Sequence, residues 1–495
     1  KSILRLLNNN EKKYLNFILI LLCINSLLEL ISIAVFYPIL TLLFDNNYDF
    51  TKIDNILDNF NIQINSFNGY LNLFLSLILI TFLLKNLFNF YFFYQQNKFV
   101  REIRLRLSNE LIDKYMYLTY PFFFKKTLPG IMRNIDLATS FSTTAISLIV
   151  FYSEILIFSL IIFFLLTVEF KLYIIIILIS LLIIFIFKVV TKEKFYSLGV
   201  KSQKYAKQFK KEILQTFSGI REIKILKKET FFNKKFNQVN NLEANNNFLR
   251  DLLIQLPKLV IELLIVVSTV ILILVMFKYE YEKSEIMIFV SLVVLASVRL
   301  MPSSVRIVTS IQRLIHNQPL NQILIREFNN KFETIKNDPN LTSNKYLSFK
   351  NEINFSNVSF SYDEKKPIIK RFNLKIKKNS CLGIIGDSGS GKSTITDLII
   401  GLIKPTSGQI KIDNVILKDN VSLWQNNISY VSQSPFFLND TIEKNIAFGL
   451  TQNNINKKLI IEVTKKAQIY DFINSLKLKF NTKVGESGIN FSGGQ

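Results

Sequence analysis

Six apolar runs, each near the roughly 20 residues that a helix needs to cross a bilayer core, limit what this chain can become. They cover residues 14–44, 71–94, 144–168, 172–190, 259–277 and 286–300. A fifth of all residues are charged, so the apolar ones are concentrated in these runs. The first run has no small-residue cleavage site behind it, and a permanent span is expected rather than a removed signal peptide.

A net charge of +23 would suggest nucleic acid in a soluble chain, but the distribution argues against it. Residues 98–133 carry Arg101, Arg104, Arg106, Lys114, Lys125 and Lys126, and residues 188–250 are also rich in lysine. The connection after the first run instead holds Asp45, Asp49, Asp54 and Asp58 against Lys52, and residues 278–285 hold three glutamates against two lysines. Positive loops stay in the cytoplasm, so six spans with both termini inside satisfy the pattern. No nucleic-acid partner is expected. In the outer connection Ile53, Ile56, Leu57 and Phe60 make one apolar helix face, suited to capping the bundle or to lying at the interface.

The basic inner segments lack Pro- or Gly-rich composition and are expected as helices extending past the bilayer, with short breaks at 120–129 and 218–219. Residues 337–344, with Asp338, Pro339 and Ser343, look like a linker. Beyond Leu347 the pattern changes to short strands, with Ile353, Phe355, Val358, Phe360 and Tyr362 near alternation. The expected division is 1–318 transmembrane, 319–346 linker and 347–495 soluble, with the soluble domain incomplete at its C-terminal end. Cys23 lies in the first apolar run and Cys381 in the soluble part, and no disulfide or metal framework follows from them. Asn-rich stretches such as residues 8–10 have no fixed period and read as codon bias.

Residues 386–394 read GDSGSGKST, a complete phosphate loop. Gly386, Gly389 and Gly391 let backbone amides turn inward on an anion, Lys392 reaches the outer phosphates, and Ser393 supplies a hydroxyl for Mg²⁺. Ser388, Ser390 and Thr394 complete the loop. Residues 381–385 are apolar enough for a buried strand and 395–402 read as a helix, which puts the loop at a helix N-terminus.

At this point the soluble part resembles the nucleotide-binding domain of ATP-binding-cassette transporters. With six preceding spans the whole chain looks like an exporter-type half-transporter: an all-α six-helix transmembrane domain followed by an α/β P-loop domain. Tyr362 stands where the family stacks an aromatic on adenine, and Gln433 matches the glutamine loop, which senses the γ-phosphate and Mg²⁺. The resemblance thus makes ATP and Mg²⁺ the cofactors, Ser393 and Gln433 the metal-side residues, and Gln433 the catalytic one. Glu486 is the acidic residue of the loop before the signature. Ser492, Gly493, Gly494 and Gln495 match the signature, which binds the γ-phosphate held by the other subunit, with Phe491 in place of the commoner leucine. The partner implied is a second copy or a paralogous half-transporter. His316 precedes the cassette and is not the family's switch histidine; a core or surface role is expected.

Within the family the membrane part looks most like bacterial flippases of lipid-linked oligosaccharides, on LLKNLFNFYFF around Lys85, LPKLVIEL around Lys258 and VRLMPSSVRI around Arg299. Two of those three positions are lysines here rather than arginines, which keeps the charge but weakens bidentate phosphate recognition. Counting inward at 1.5 Å per residue puts Lys85 about 21 Å and Arg299 about 20 Å from the outer ends of their spans. A role in a cavity and snorkelling to the interface are both open, and Glu29, Glu154 and Glu262 are candidate partners.

The resemblance implies that two cassettes close head to tail on ATP and turn the cavity outward, with hydrolysis resetting it. The family's magnesium-binding aspartate and catalytic glutamate follow the signature helix. The 495 residues are accordingly expected to be a fragment that binds ATP weakly or folds poorly and does not hydrolyse it. Export of lipid A, peptide or drug, and a nucleotide-sensing regulator or channel, are the alternatives.

Overall fold

A computed structural model of the protein describes residues 6–44, 67–168, 170–330, 334–335, 345–362, 367–433, 435–485 and 491. The apolar face expected at Ile53 to Phe60, Glu486, and the signature residues Ser492, Gly493, Gly494 and Gln495 lie outside them. The chain forms two compact units, Lys1–Asn337 and Asp338–Gln495.

The first unit is helical: α1 Asn9–Ala34, α2 Phe36–Phe44, α3 Phe67–Met116, α4 Phe122–Lys125, α5 Leu128–Val168, α6 Phe170–Ser218, α7 Ile220–Ile225, α8 Glu229–Lys278 and α9 Lys283–Asn329. A bilayer offers no partner for backbone N–H and C=O groups, so the apolar runs satisfy them internally as helices. Among the described residues, Asn9–Phe44, Phe67–Met116, Leu128–Val168, Glu229–Lys278 and Lys283–Asn329 are long and apolar enough to cross a membrane. The expected span at 172–190 falls inside α6, and most side chains of that stretch are outside the described set. The breaks between α3 and α5 and at Gly219 lie where composition puts them.

Each helix shows which face meets its neighbours. On α3, Leu79, Leu83, Leu87 and Phe90 are largely exposed, as lipid-facing positions should be, whereas Phe99, Ile103, Leu107 and Leu111 are fully buried further along. The α5 face toward α9 is rich in small residues, with Ala138, Ser142, Thr144, Ala145 and Ser147 buried, so the backbones can approach closely. Asn321 donates to Thr144 Oγ1 at 2.8 Å and Asn317 to Thr143 Oγ1 at 3.0 Å across that contact. At the far end of α9, Lys114 donates to the carbonyls of Glu327, Phe328 and Asn330 and so caps the helix C-terminus. Glu327 itself accepts from Lys126 at 2.5 Å and from the Tyr115 hydroxyl at 3.0 Å.

Two helices approach closely at Gly199 of α6, where an added Cβ would lie 2.0 Å from the backbone oxygen of His316 on α9. A Gly199→Ala substitution gains about 1 kcal/mol of helix propensity. The atom it meets is backbone and cannot rotate away, so the helices must part at a cost of about 1–3 kcal/mol. A net fall in the thermal midpoint, read by scanning fluorimetry, is the expected result; an unchanged midpoint would mean that α6 and α9 are not packed this way.

The second unit holds a four-stranded antiparallel sheet in the order β2-β1-β3-β4, with β1 Glu352–Phe360, β2 Ile369–Lys377, β3 Ser407–Ile412 and β4 Val415–Ile416. The alternation read from the sequence is the buried face of β1: Ile353, Phe355, Val358 and Phe360. Its step of three between Phe355 and Val358 is a bulge, with Asn357 at φ 49°. Gly408 of β3 meets it so closely that a Cβ there would fall 2.3 Å from the Asn357 oxygen.

One expectation fails here. Residues 381–385 form no strand and are exposed, with Ile385 98% exposed. An apolar segment becomes a buried strand only when neighbouring strands pair with it, and the described sheet runs through β1 to β4 without it. Val431, in the segment just before Gln433, is likewise 92% exposed.

Candidate functional site

The phosphate loop leads into α10, Lys392–Ile400. Gly391 caps the helix at φ 95° with no side-chain hydrogen bond, so the first-turn amides remain available to an anion. A Cβ at Gly391 would also press to 3.0 Å on Ile368 Cγ2. The Lys392 ammonium folds over the loop and donates to the carbonyls of Gly386 and Asp387, both at 2.7 Å. A Cβ on Gly386 would come within 2.9 Å of Ser390 Oγ, which shows how tightly the loop turns. Of the two hydroxyls that follow, Ser393 is exposed and Thr394 buried, so Ser393 is the one open to a metal. The other end of the helix is held by Gly401, at φ 78°, and by the Trp424 indole, which donates to the Ile399 carbonyl at 2.7 Å. A loop of orphan amides with a lysine inside it, on a helix anchored at its far end, fits the phosphates of a nucleotide and an accompanying Mg²⁺.

Tyr362 follows β1, whose neighbour β2 starts beside this loop. Its ring meets the edge of Phe360 at 4.8 Å, the Phe360 carbonyl accepts from Ile368 at 2.9 Å, and Ile368 touches Gly391. Ser388 and Gly389 are exposed in the loop, and a Cβ at Gly389 would meet nothing within 4 Å. Gln433 is exposed and has no hydrogen bond to Ser393 among the described residues. Cys23 and Cys381 are free thiols.

A second set of polar residues converges inside the helix bundle of the first unit. Lys85 of α3 lies 3.3 Å from Glu29 Oε2 of α1, and the same oxygen is 3.2 Å from Arg299 Nε of α9. Arg299 Nη2 reaches Glu154 of α5 at 3.9 Å, and Arg306, one further turn pair along α9, reaches it at 3.0 Å. Ser303 donates to Glu154 at 2.6 Å, Asn89 to Glu29 at 3.4 Å and Lys85 to Ser32 at 3.4 Å. Glu29 and Glu154 are buried. Although both arginine Nε atoms are within ion-pair distance of a carboxylate, neither N–H is directed at it, and both are buried donors without an acceptor. Pro302 sits amid these α9 residues and leaves the carbonyl of Val298 without its helical donor, so the helix can bend here.

Of the three sequence candidates, Lys85 and Arg299 therefore meet, through Glu29. Lys258 does not join them: it is exposed on α8, beside Pro257, with no ion pair among the described residues. Arg306, Ser303 and Asn89 were not singled out from sequence, although Arg299, Ser303 and Arg306 follow one another at helix spacing along one face of α9. His316 is a core residue, its Nδ1 3.0 Å from Asn317 Oδ1.

The model of the ABC transporter transmembrane region matches residues 15–303 and that of the ABC transporter matches residues 369–495. A probable ABC transporter ATP-binding/permease protein of Haemophilus influenzae is 40% identical over 144 residues, 29% of this chain and 26% of that protein. The lactococcin-G-processing and transport ATP-binding protein of Lactococcus lactis is 34% identical over 183 residues, 37% of this chain and 25% of its own. ATP-binding cassette sub-family B member 5 of mouse is 38% identical over 174 residues, 34% of this chain but 14% of its own length, so the matched stretches are a minor part of these relatives. The structure of a bacterial Atm1-family ABC exporter with ATP bound superposes with a TM-score of 0.74 at 17% identity, over 98% of this chain and 82% of the other, and shows the same fold. With a transmembrane-region match over more than half of its residues and a phosphate-loop domain behind it, the chain belongs to the ABC transporter family.

Proposed function

We propose that this chain is one half of an ATP-driven exporter that flips an amphipathic lipid-linked oligosaccharide across a bacterial cytoplasmic membrane. It works as a homodimer or with a paralogous half, with the soluble unit and both termini in the cytoplasm. The observation that carries the substrate reading is the meeting of Lys85 and Arg299 in the helix bundle. Charge at such a place is costly and is retained where a cavity uses it, and a diphosphate linkage is the anionic part of such a lipid. Lys258, at the exposed α8 position, would meet the headgroup on entry.

At the other unit, Tyr362 stacks on adenine, the amides of residues 386–394 and Lys392 hold the phosphates, and Ser393 and Gln433 hold Mg²⁺. When bound, Mg²⁺ would neutralise charge on the phosphates, and Gln433 would sense the γ-phosphate and the metal beside it. Ser492, Gly493, Gly494 and Gln495 serve the nucleotide of the opposite half.

The test is translocation in proteoliposomes, using the transporter expressed from its own locus. ATP should drive a fluorescent polyprenyl-diphosphate oligosaccharide to the opposite leaflet, and Lys85→Ala with Arg299→Ala should stop it. Equal transport of an uncharged amphiphile, or transport unaffected by the double substitution, would sink the glycan-lipid reading while leaving the cassette intact.

A further inference from the structure

We infer that Glu29 and Glu154 are resident counter-ions which an incoming anionic headgroup displaces from Lys85, Arg299 and Arg306. The inference rests on the proposed reading that this cluster receives a phosphate-bearing amphiphile, and it goes further by assigning the two carboxylates and Arg306 a part in the exchange.

Among the described residues three cations face two carboxylates here, so the cluster as described carries one positive charge in excess. That excess lies beside two guanidinium Nε donors that are buried and lack an acceptor. A purely structural ion-pair network in a low-dielectric bundle is expected to close its charge and its hydrogen bonds, since each open group carries a desolvation cost. This one is open by one anion.

Each carboxylate also has a neutral donor of its own. Glu154 takes the Ser303 hydroxyl at 2.6 Å, and Glu29 the Asn89 amide at 3.4 Å. On leaving the cations, both keep a hydrogen-bond partner. A diphosphate diester with two negative charges would turn the sum of the cluster from one positive to one negative charge. The glutamates then move away from the cations instead of sharing them. The bend available at Pro302 lies between Arg299 and Arg306, where such a movement would be transmitted to α9.

The glutamates thus compete with the substrate. Their presence lowers affinity for the anion, holds α1, α3, α5 and α9 together when no substrate is bound, and lets the headgroup leave again once the bundle has turned.

The experiment measures binding of polyprenyl diphosphate, neutral polyprenol and inorganic diphosphate to the transporter in nanodiscs, for the wild type, Glu29→Gln and Glu154→Gln. Each substitution removes a competing charge and should tighten polyprenyl diphosphate binding about tenfold or more, leaving polyprenol unchanged. Because losing a glutamate leaves cations unpaired, Glu154→Asp is the second variant: it keeps the charge on a shorter arm, remains foldable, and should tighten binding by a smaller factor. Wild type that binds polyprenyl diphosphate while none of the three variants binds it more tightly overturns the exchange and leaves the proposed substrate standing. Wild type that binds no phosphate probe overturns both. Inorganic diphosphate bound as tightly as the lipid, and tightened equally by the substitutions, supports the exchange but assigns the anion to a soluble compound, against the lipid reading.

Discussion

Replacing Lys392 by alanine should remove ATP binding almost entirely. Its ammonium is the one side-chain cation of the phosphate loop, and it already donates two hydrogen bonds at 2.7 Å to loop carbonyls, which places it where the outer phosphates would lie. Charge-assisted hydrogen bonds are worth about 1.5–3 kcal/mol each, so losing two is expected to weaken binding by roughly a hundredfold or more. Fluorescent-nucleotide titration of the transporter in nanodiscs reads this directly and does not depend on hydrolysis. Gly391→Ala should also weaken binding, by a different route: its φ of 95° is strained for alanine, and the new Cβ would push on Ile368, which lies between the loop and the Phe360–Tyr362 pair. Ser393→Ala should weaken binding only when Mg²⁺ is present. Wild-type affinity in the Lys392 variant would mean that the nucleotide does not sit on this loop.

The phosphate loop was legible because its chemistry is local. Glycines, lysine and hydroxyl stand at fixed offsets, and the helix that follows needs only its own residues. The alternation of β1 was legible for the same reason, and the bulge at Asn357 showed only as an uneven step. Residues 381–385 misled because apolar composition says that a segment seeks burial and not whether a neighbouring strand is there to provide it. The membrane cluster was half legible. Depth along a span can be counted, so Lys85 and Arg299 stood out, and Glu29 and Glu154 could be named as partners since few other carboxylates lie in apolar runs. Which helix faces oppose one another cannot be counted: Glu29, Lys85, Glu154 and Arg299 come from four helices. Arg306 was hidden because an arginine just past a span looks like any other residue of the basic inner segments, and the sequence could not say that Lys258 stands apart from the cluster, exposed on α8.

Glu154→Ala and Arg299→Ala change the same cluster but should have different consequences. Without Glu154, Arg306 has no ion-pair partner among the described residues, Arg299 must share Glu29 with Lys85, and the Ser303 hydroxyl loses its acceptor. Among the described residues three cations then face one anion, and although solvent at the 41% exposed Arg306 side chain offsets part of the cost, scanning fluorimetry should show a clear loss of thermal stability. Without Arg299, Lys85 keeps Glu29 at 3.3 Å and Arg306 keeps Glu154 at 3.0 Å, so no carboxylate of the cluster is left unpaired and the bundle should lose much less stability. The excess positive charge is nevertheless gone, and export of a diphosphate lipid should fail in a protein that is still folded. Stability and transport therefore separate only if the cluster serves a ligand as well as the fold. Arg299→Ala as unstable as Glu154→Ala would make Arg299 a structural residue, and Arg299→Ala that is stable and still exports would place the substrate elsewhere in the bundle.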